Sequence, residues 1–135
     1  MILADTSAWV EYDRATGSAA HLRLRELIAG SGPVVITEPV ITEVCAGART
    51  DARERDLRRL LARFDLAPFD PVADFGGAVA IYRTCRRGGV TPRGLLDCLI
   101  AHVALRLGHD VLAHDRDFSR LAGVVGLRLD PASLD

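Results

Sequence analysis

Three short apolar runs, spaced far apart, constrain this chain more than any other feature. They are Met1 to Ala4, Val34-Val35-Ile36 and Val111-Leu112-Ala113. Each is too short for a helix, and the run at 34–36 is wholly β-branched, which suits a buried strand. The intervening stretches carry helical periodicity. Leu22, Leu24, Leu27 and Ile28 mark a helix from Gly17-Ser18 to about Ala29, ahead of a Gly30-Ser31-Gly32-Pro33 turn. Strands separated by helices give an α/β domain with a mostly parallel sheet.

The remaining elements follow the same alternation. Pro39 fits the first turn of a helix whose apolar side is Val40, Ile41 and Val44, with Gly47 near its end. Asp51 to Asp65 reads as an amphipathic helix, because Leu57, Leu60, Leu61 and Phe64 recur at i, i+3, i+4, i+7. Ala67 to Asp70 is a candidate short strand. A helix opens at Pro71 and ends near Gly88-Gly89, and another runs from Gly94 to Leu107 with Gly108 as its stop. A helix from Arg116 to about Ala122 and a last strand from Gly126 to Leu129 complete the pattern, with a loosely ordered tail from Asp130 to Asp135. At 135 residues, this is expected to be one domain, 1–135.

Acids recur beside these apolar elements. Asp5 ends the first run, Glu43 sits in EPVITEVCAG, Asp97 in RGLLDCLIAHV, and Asp115 and Asp117 in VLAHDRDF. A desolvated carboxylate is unfavourable unless it is paired or binds a cation, and the chain has no lysine to pair with it. In a parallel sheet, ligands collect beyond the carboxyl ends of the strands. Asp5 and Asp115 both follow predicted strands, so neighbouring strands would bring them to one rim, with Glu43 and Asp97 leaning in from helices. Magnesium and manganese prefer such oxygen donors. Ions held there activate water and neutralise phosphate, which is the chemistry of phosphodiester hydrolysis. Ser7 is placed to orient a water or a phosphate oxygen. Taken singly, each residue has a plainer role: Asp5 or Asp115 as a helix cap, Asp97 as a first-turn acid, Glu43 as a solvated helix residue.

Other classes are disfavoured. Cys45, Cys85 and Cys98 form no CxxC, and His21, His102, His109 and His114 form no HExxH-type pair, so neither a disulfide frame nor a zinc site is expected. No apolar stretch approaches the roughly 20 residues of a membrane span. The opening residues read as strand rather than signal peptide, which leaves the cytoplasm as the expected location. Net charge is −1, which gives no global argument for nucleic acid. All 17 basic residues are arginine, a side chain suited to phosphate but equally a product of coding bias.

DTSAWVE, TEPVITEV, LLDCLIAHVA and LAHDRDF occur in this order over most of the chain. In this the sequence resembles the PIN-domain family, specifically the VapC-type toxins of bacterial toxin–antitoxin pairs. The resemblance implies a three-layer α/β/α sandwich with a sheet of about five strands. It also implies an endoribonuclease dependent on Mg2+ (or Mn2+), acting on structured RNA such as tRNA. A homodimer, inhibited by a VapB-type antitoxin, is implied as well. Asp5, Glu43 and Asp97 fall on the family's acidic positions. HDRDF offers Asp115 and Asp117 for the fourth, with Asp115 nearer the strand, and Ser7 falls on the small hydroxyl position. Asp5, Asp97 and Asp115 would hold metal, with Glu43 as a ligand to a second ion or as the residue placing the attacking water. Two other readings compete. A magnesium-dependent receiver or phosphoryl-transfer domain also gathers acids at strand ends, but relies on a pocket lysine that this chain lacks. A non-catalytic protein-binding module gives no reason for four acids at these places.

Overall fold

The structure, a computed structural model, describes residues 1–134. The chain runs β1 (Ile2–Ala4), α1 (Thr6–Arg14), α2 (Ala19–Ala29), β2 (Val34–Ile36), α3 (Glu38–Ala46), α4 (Asp51–Leu61), β3 (Asp65–Leu66), α5 (Pro71–Arg87), α6 (Leu95–Leu107), β4 (Asp110–Leu112) and α7 (Arg116–Val125). All strand pairs are parallel, in the order β3-β2-β1-β4. β1 and β2 are buried along their whole length, as are Val111 and Leu112 of β4, which is why these strands read as continuous apolar runs. The chain passes from β1 outward to β2 and β3, then returns to place β4 on the other side of β1. Right-handed connections therefore set α1–α4 on one face and α5–α7 on the other. Within each set the helices pack together, α1 on α2 and α3, and α5 on α6 and α7, while α3 and α6 touch across the division.

Four strands are found among the described residues, where about five were expected. The predicted last strand, Gly126 to Leu129, contributes only a single parallel bridge between Val111 and Leu129. Gly126 sits in the left-handed region (φ 72°) as the stop of α7, and the buried Asp130 turns the chain away. That leaves too few extended residues for a ladder. The third strand is Asp65–Leu66 rather than Ala67 to Asp70. Ala67 still donates to the Ile36 carbonyl, but Pro68 has no N–H with which to continue. As a result α4 ends at Leu61, and Phe64 reaches Trp9 from the following turn, with ring centroids 5.3 Å apart.

The tail is also more fixed than expected. Asp130 is buried, accepts from Arg23 Nε at 3.3 Å, and caps a turn through the Ala132 N–H. The Ser133 hydroxyl accepts from the Ala113 N–H, and the Leu134 N–H donates to the Ala113 carbonyl. Asp135 lies outside the described residues.

A second unexpected feature staples the α5–α6 pair. Asp74 is fully buried in the first turn of α5. Its carboxylate accepts from Arg106 Nε (3.1 Å) and Nη2 (2.9 Å), from the Asp70 N–H (2.7 Å), and lies 2.6 Å from His102 Nδ1. Gly77 makes this approach possible, since a Cβ there would fall 2.1 Å from the His102 ring. Burial by itself would raise the Asp74 carboxyl, but the hydrogen bonds from Arg106, Asp70 and His102 hold it below its ordinary range.

Candidate active site

The reversal of strand order at β1 opens a crevice beyond the carboxyl ends of β1 and β4, where a parallel sheet places its ligands. A pocket of about 370 Å3 lies there. Asp5, Glu43, Asp97, Asp115 and Ser7 all line it, together with Thr6, Arg93, Gly94 and Leu96. The structure thus gathers acids 110 residues apart in sequence, from Asp5 to Asp115, around one space.

Asp5 follows β1 directly and caps α1. Its Oδ2 accepts from the Ser7 N–H (3.1 Å) and the Ser7 hydroxyl (2.6 Å). Its Oδ1 is buried and has no partner. The Ser7 hydroxyl also accepts from the His114 N–H at 2.8 Å, so it ties the β1 rim to the segment after β4. Ser7 therefore positions Asp5, and its only proton is already engaged. Glu43 comes from α3, and the Thr6 hydroxyl donates to its Oε1 at 2.7 Å. Asp97 stands in the first turn of α6. Asp115 caps α7 through the Asp117 N–H (2.9 Å), three residues after β4 ends at Leu112.

Asp117 does not line the pocket. It pairs with Arg93 Nε at 3.2 Å and with Arg120 Nη1 at 3.3 Å. Arg93 also donates from Nη2 to Asp115 Oδ2 at 2.6 Å. Sequence reasoning missed Arg93 and Thr6. One available signal for Arg93 was its position four residues before Asp97, in the loop leading into the same helix.

The electrostatics follow from crowding like charges in a half-dry space. Burial pushes the Asp5 carboxyl up to about 6, against the Ser7 hydrogen bonds that lower it, and the Glu43 charge adds to the rise. Asp97 is pushed up to about 7, first by burial, then by the charges of Asp5, Asp115 and Glu43, with Arg93 opposing. A helix N-terminus favours an ionised acid, yet here desolvation and repulsion outweigh it. Sites that perturb acids in this way are where functional groups concentrate.

The donor set suits a hard divalent cation. Every acidic group on the pocket is an oxygen donor, no sulfur or imidazole lines it, and the orphaned Asp5 Oδ1 is a buried acceptor awaiting a positive partner. Among the described residues, no three acidic, histidine or cysteine side chains are already drawn together tightly enough to enclose an ion. The acids border a shared pocket rather than a closed cage, with Asp115 held to Arg93.

Comparison with known proteins agrees with this architecture. The family model described as PIN domain matches residues 2–124. Ribonuclease VapC11 of Mycobacterium tuberculosis (strain ATCC 25618 / H37Rv) is 41% identical over 129 residues, covering 95% of this chain and 96% of that protein. In fold, the chain is similar to VapBC2 from Rickettsia felis bound to a DNA fragment from its promoter, with a TM-score of 0.75, 18% identity and full coverage of both chains. It is also similar to VapC20 of Mycobacterium tuberculosis, described as a sarcin–ricin loop cleaving toxin, with a TM-score of 0.67, 22% identity, and 95% and 99% of the two chains covered. With the family model spanning residues 2–124, and two-fifths identity to a VapC ribonuclease over 95% of the chain, the protein belongs to the PIN-domain family, in its VapC group.

Proposed function

We propose that this protein is the ribonuclease toxin of a toxin–antitoxin pair, hydrolysing structured RNA at the pocket of Asp5, Glu43, Asp97 and Asp115. The observation that carries this reading is the convergence of four carboxylates on one crevice, with a buried Asp5 oxygen left unpartnered. Asp5, Asp97 and Asp115 are the residues to hold Mg2+, for which Mn2+ is a close substitute. Such an ion supplies a lowered water pKa and charge neutralisation at the phosphate. Glu43, kept in one orientation by Thr6, is placed to accept a proton from an attacking water. Ser7 holds Asp5 in register with the β4 side of the rim. Arg93 is the pocket's one cation, and its guanidinium is suited to exchange the Asp115 carboxylate for an RNA phosphate.

The substrate we favour is tRNA or another structured RNA. The fold neighbour described as cleaving the sarcin–ricin loop supports that class. The VapBC complexes among the fold neighbours support a VapB-type antitoxin as partner. A homodimer suits the outer side of α5, where Val72, Phe75 and Val79 stand exposed at helical spacing.

The test is incubation of purified, antitoxin-free protein with total cellular RNA and Mg2+, beside EDTA and Asp5→Ala lanes, followed by sequencing of new RNA ends. Discrete cuts that vanish in both controls are expected. Cutting by a folded Asp5→Ala protein would end this reading. In the same assay Arg93→Ala should lower kcat/KM by about ten-fold through lost phosphate contact. It should also reduce the Mg2+ needed for half activity, because the pocket then carries one cation fewer. An unchanged Mg2+ requirement would show that Arg93 does not compete for Asp115.

A further inference from the structure

A second pocket, of about 400 Å3, adjoins the first and shares Glu43 with it. It lies where α1, α3 and the start of α4 meet. Its apolar wall is Trp9, Val10, Val44 and Leu57, and Gly47 and Ala48 border it. Arg14, Arg49 and Arg53 also line it, and all three are exposed. Arg53 is tied to Asp13, which lines the same pocket. Arg14 and Arg49 have no carboxylate partner among the described residues. Trp9 is only 2% exposed, and its indole Nε1–H is buried without an acceptor.

We infer that this pocket is a nucleoside subsite, taking one unstacked nucleotide that flanks the phosphate cut in the neighbouring pocket. The inference rests on the ribonuclease reading and adds to it where substrate selection occurs. The volume lies within the range of small-ligand sites, about 300–1,000 Å3. The apolar wall of Val10, Val44 and Leu57, backed by Trp9, suits a base plane. Arg14 and Arg49 match the charge of the phosphates on either side. Sequence-selective RNA binding works in this way, by drawing unstacked bases out of single-stranded regions onto aromatic and arginine side chains. Because Glu43 belongs to both pockets, a nucleotide seated in the second is continuous with a phosphate in the first.

Trp9 is the chain's sole tryptophan, so its fluorescence reports on this pocket without relying on cleavage. The probes are the four nucleoside 5′-monophosphates and short 2′-O-methyl oligonucleotides, which resist cutting. Ribose 5-phosphate serves as the base-free control. Gly47→Leu should plug the pocket, since Gly47 has an ordinary backbone (φ −79°) and a Cβ there meets only its own helix at 3.4 Å or more. A saturable change in Trp9 emission is expected for at least one nucleotide and absent for ribose 5-phosphate. Gly47→Leu and the Arg14→Ala/Arg49→Ala pair should each weaken it about ten-fold. The arginine pair guards against misfolding of Gly47→Leu.

RNA cleavage with no nucleotide response at Trp9, or a response unaltered in both variants, would overturn the inference and leave the nuclease reading intact. It would also be overturned if the variants weakened antitoxin binding alone, because the pocket would then be a protein groove. Uncut RNA alongside pocket-dependent nucleotide binding would support the subsite and remove the nuclease reading instead.

Discussion

Asp97→Asn is expected to abolish RNA cleavage, by ~10³-fold or more, and at the same time to raise the melting temperature of the chelated protein. The two effects have one cause. Asp97 is held against its own preference, with burial and the charges of Asp5, Asp115 and Glu43 pushing its carboxyl to about 7. An isosteric amide removes the repulsion and, with it, a carboxylate proposed to hold the metal. Each pKa unit corresponds to about 1.4 kcal/mol, and because Asp97 is partly solvated we expect a gain on the order of 2 kcal/mol, or roughly 5–10 °C in Tm. The pH dependence has a definite sign. The folded carboxyls of Asp5 and Asp97 titrate above their unfolded value of 3.8, at about 6 and about 7. Their contribution to stability is therefore complete below about pH 4 and is lost as pH rises through about 6 and about 7. Chelated wild type should melt lower at pH 8 than at pH 5, and Asp97→Asn should flatten that slope. Mg2+ should stabilise the wild type most at the alkaline end. Calorimetry across pH, with and without EDTA, measures this. An Asp97→Asn protein less stable than the chelated wild type would show that the four acids are not in conflict.

The opposite outcome is expected at Asp74. Asp74→Ala should destabilise the protein by about 3 kcal/mol, with little effect on cleavage per folded molecule. Removing a buried carboxylate leaves the Arg106 guanidinium, the Asp70 N–H and His102 without their shared acceptor. Because Arg106 is a quarter exposed, water compensates in part, which places the loss at the lower end of the range for broken buried pairs. The Asp74 carboxyl titrates below its ordinary range, so its contribution is present above about pH 4 and disappears only as pH falls further. Urea unfolding at pH 7 should show a lower midpoint with an unchanged slope. A loss under about 1 kcal/mol would reduce the cluster to an ordinary surface ion pair.

Sequence patterning reached the elements that are buried on both sides. β1, β2 and β4 were visible as apolar runs because no surface face interrupts them, and the helices between them showed their 3.6-residue period. It failed at the sheet margins. β3 is exposed and only two residues long, so its single apolar residue, Leu66, set no pattern, and the Leu129 bridge had too little pattern to be separated from a full strand. The four acids were identifiable one by one from their neighbours and from the family resemblance. Their meeting at one pocket depends on strand order, which no single stretch encodes. For Arg93 the sequence offered only its place four residues before Asp97, because its partners, Asp115 and Asp117, lie more than 20 residues away. Asp74 has the position of a helix-start acid, and only the close approach permitted by Gly77 makes it the centre of a staple.

The strand order β3-β2-β1-β4 also bears on how such a protein is made. β1 is made before the strands it pairs with, yet it occupies the middle of the sheet, and one of its edges stays bare until β4 is synthesised. Asp115 follows β4, and the Ser7 hydroxyl finds its His114 partner only then. A nascent chain that already carries Asp5, Glu43 and Asp97 thus still lacks the far wall of the pocket proposed as its cutting site. A hydrolase of RNA emerging beside ribosomal RNA is in this way kept incomplete by its topology until β4 has been translated.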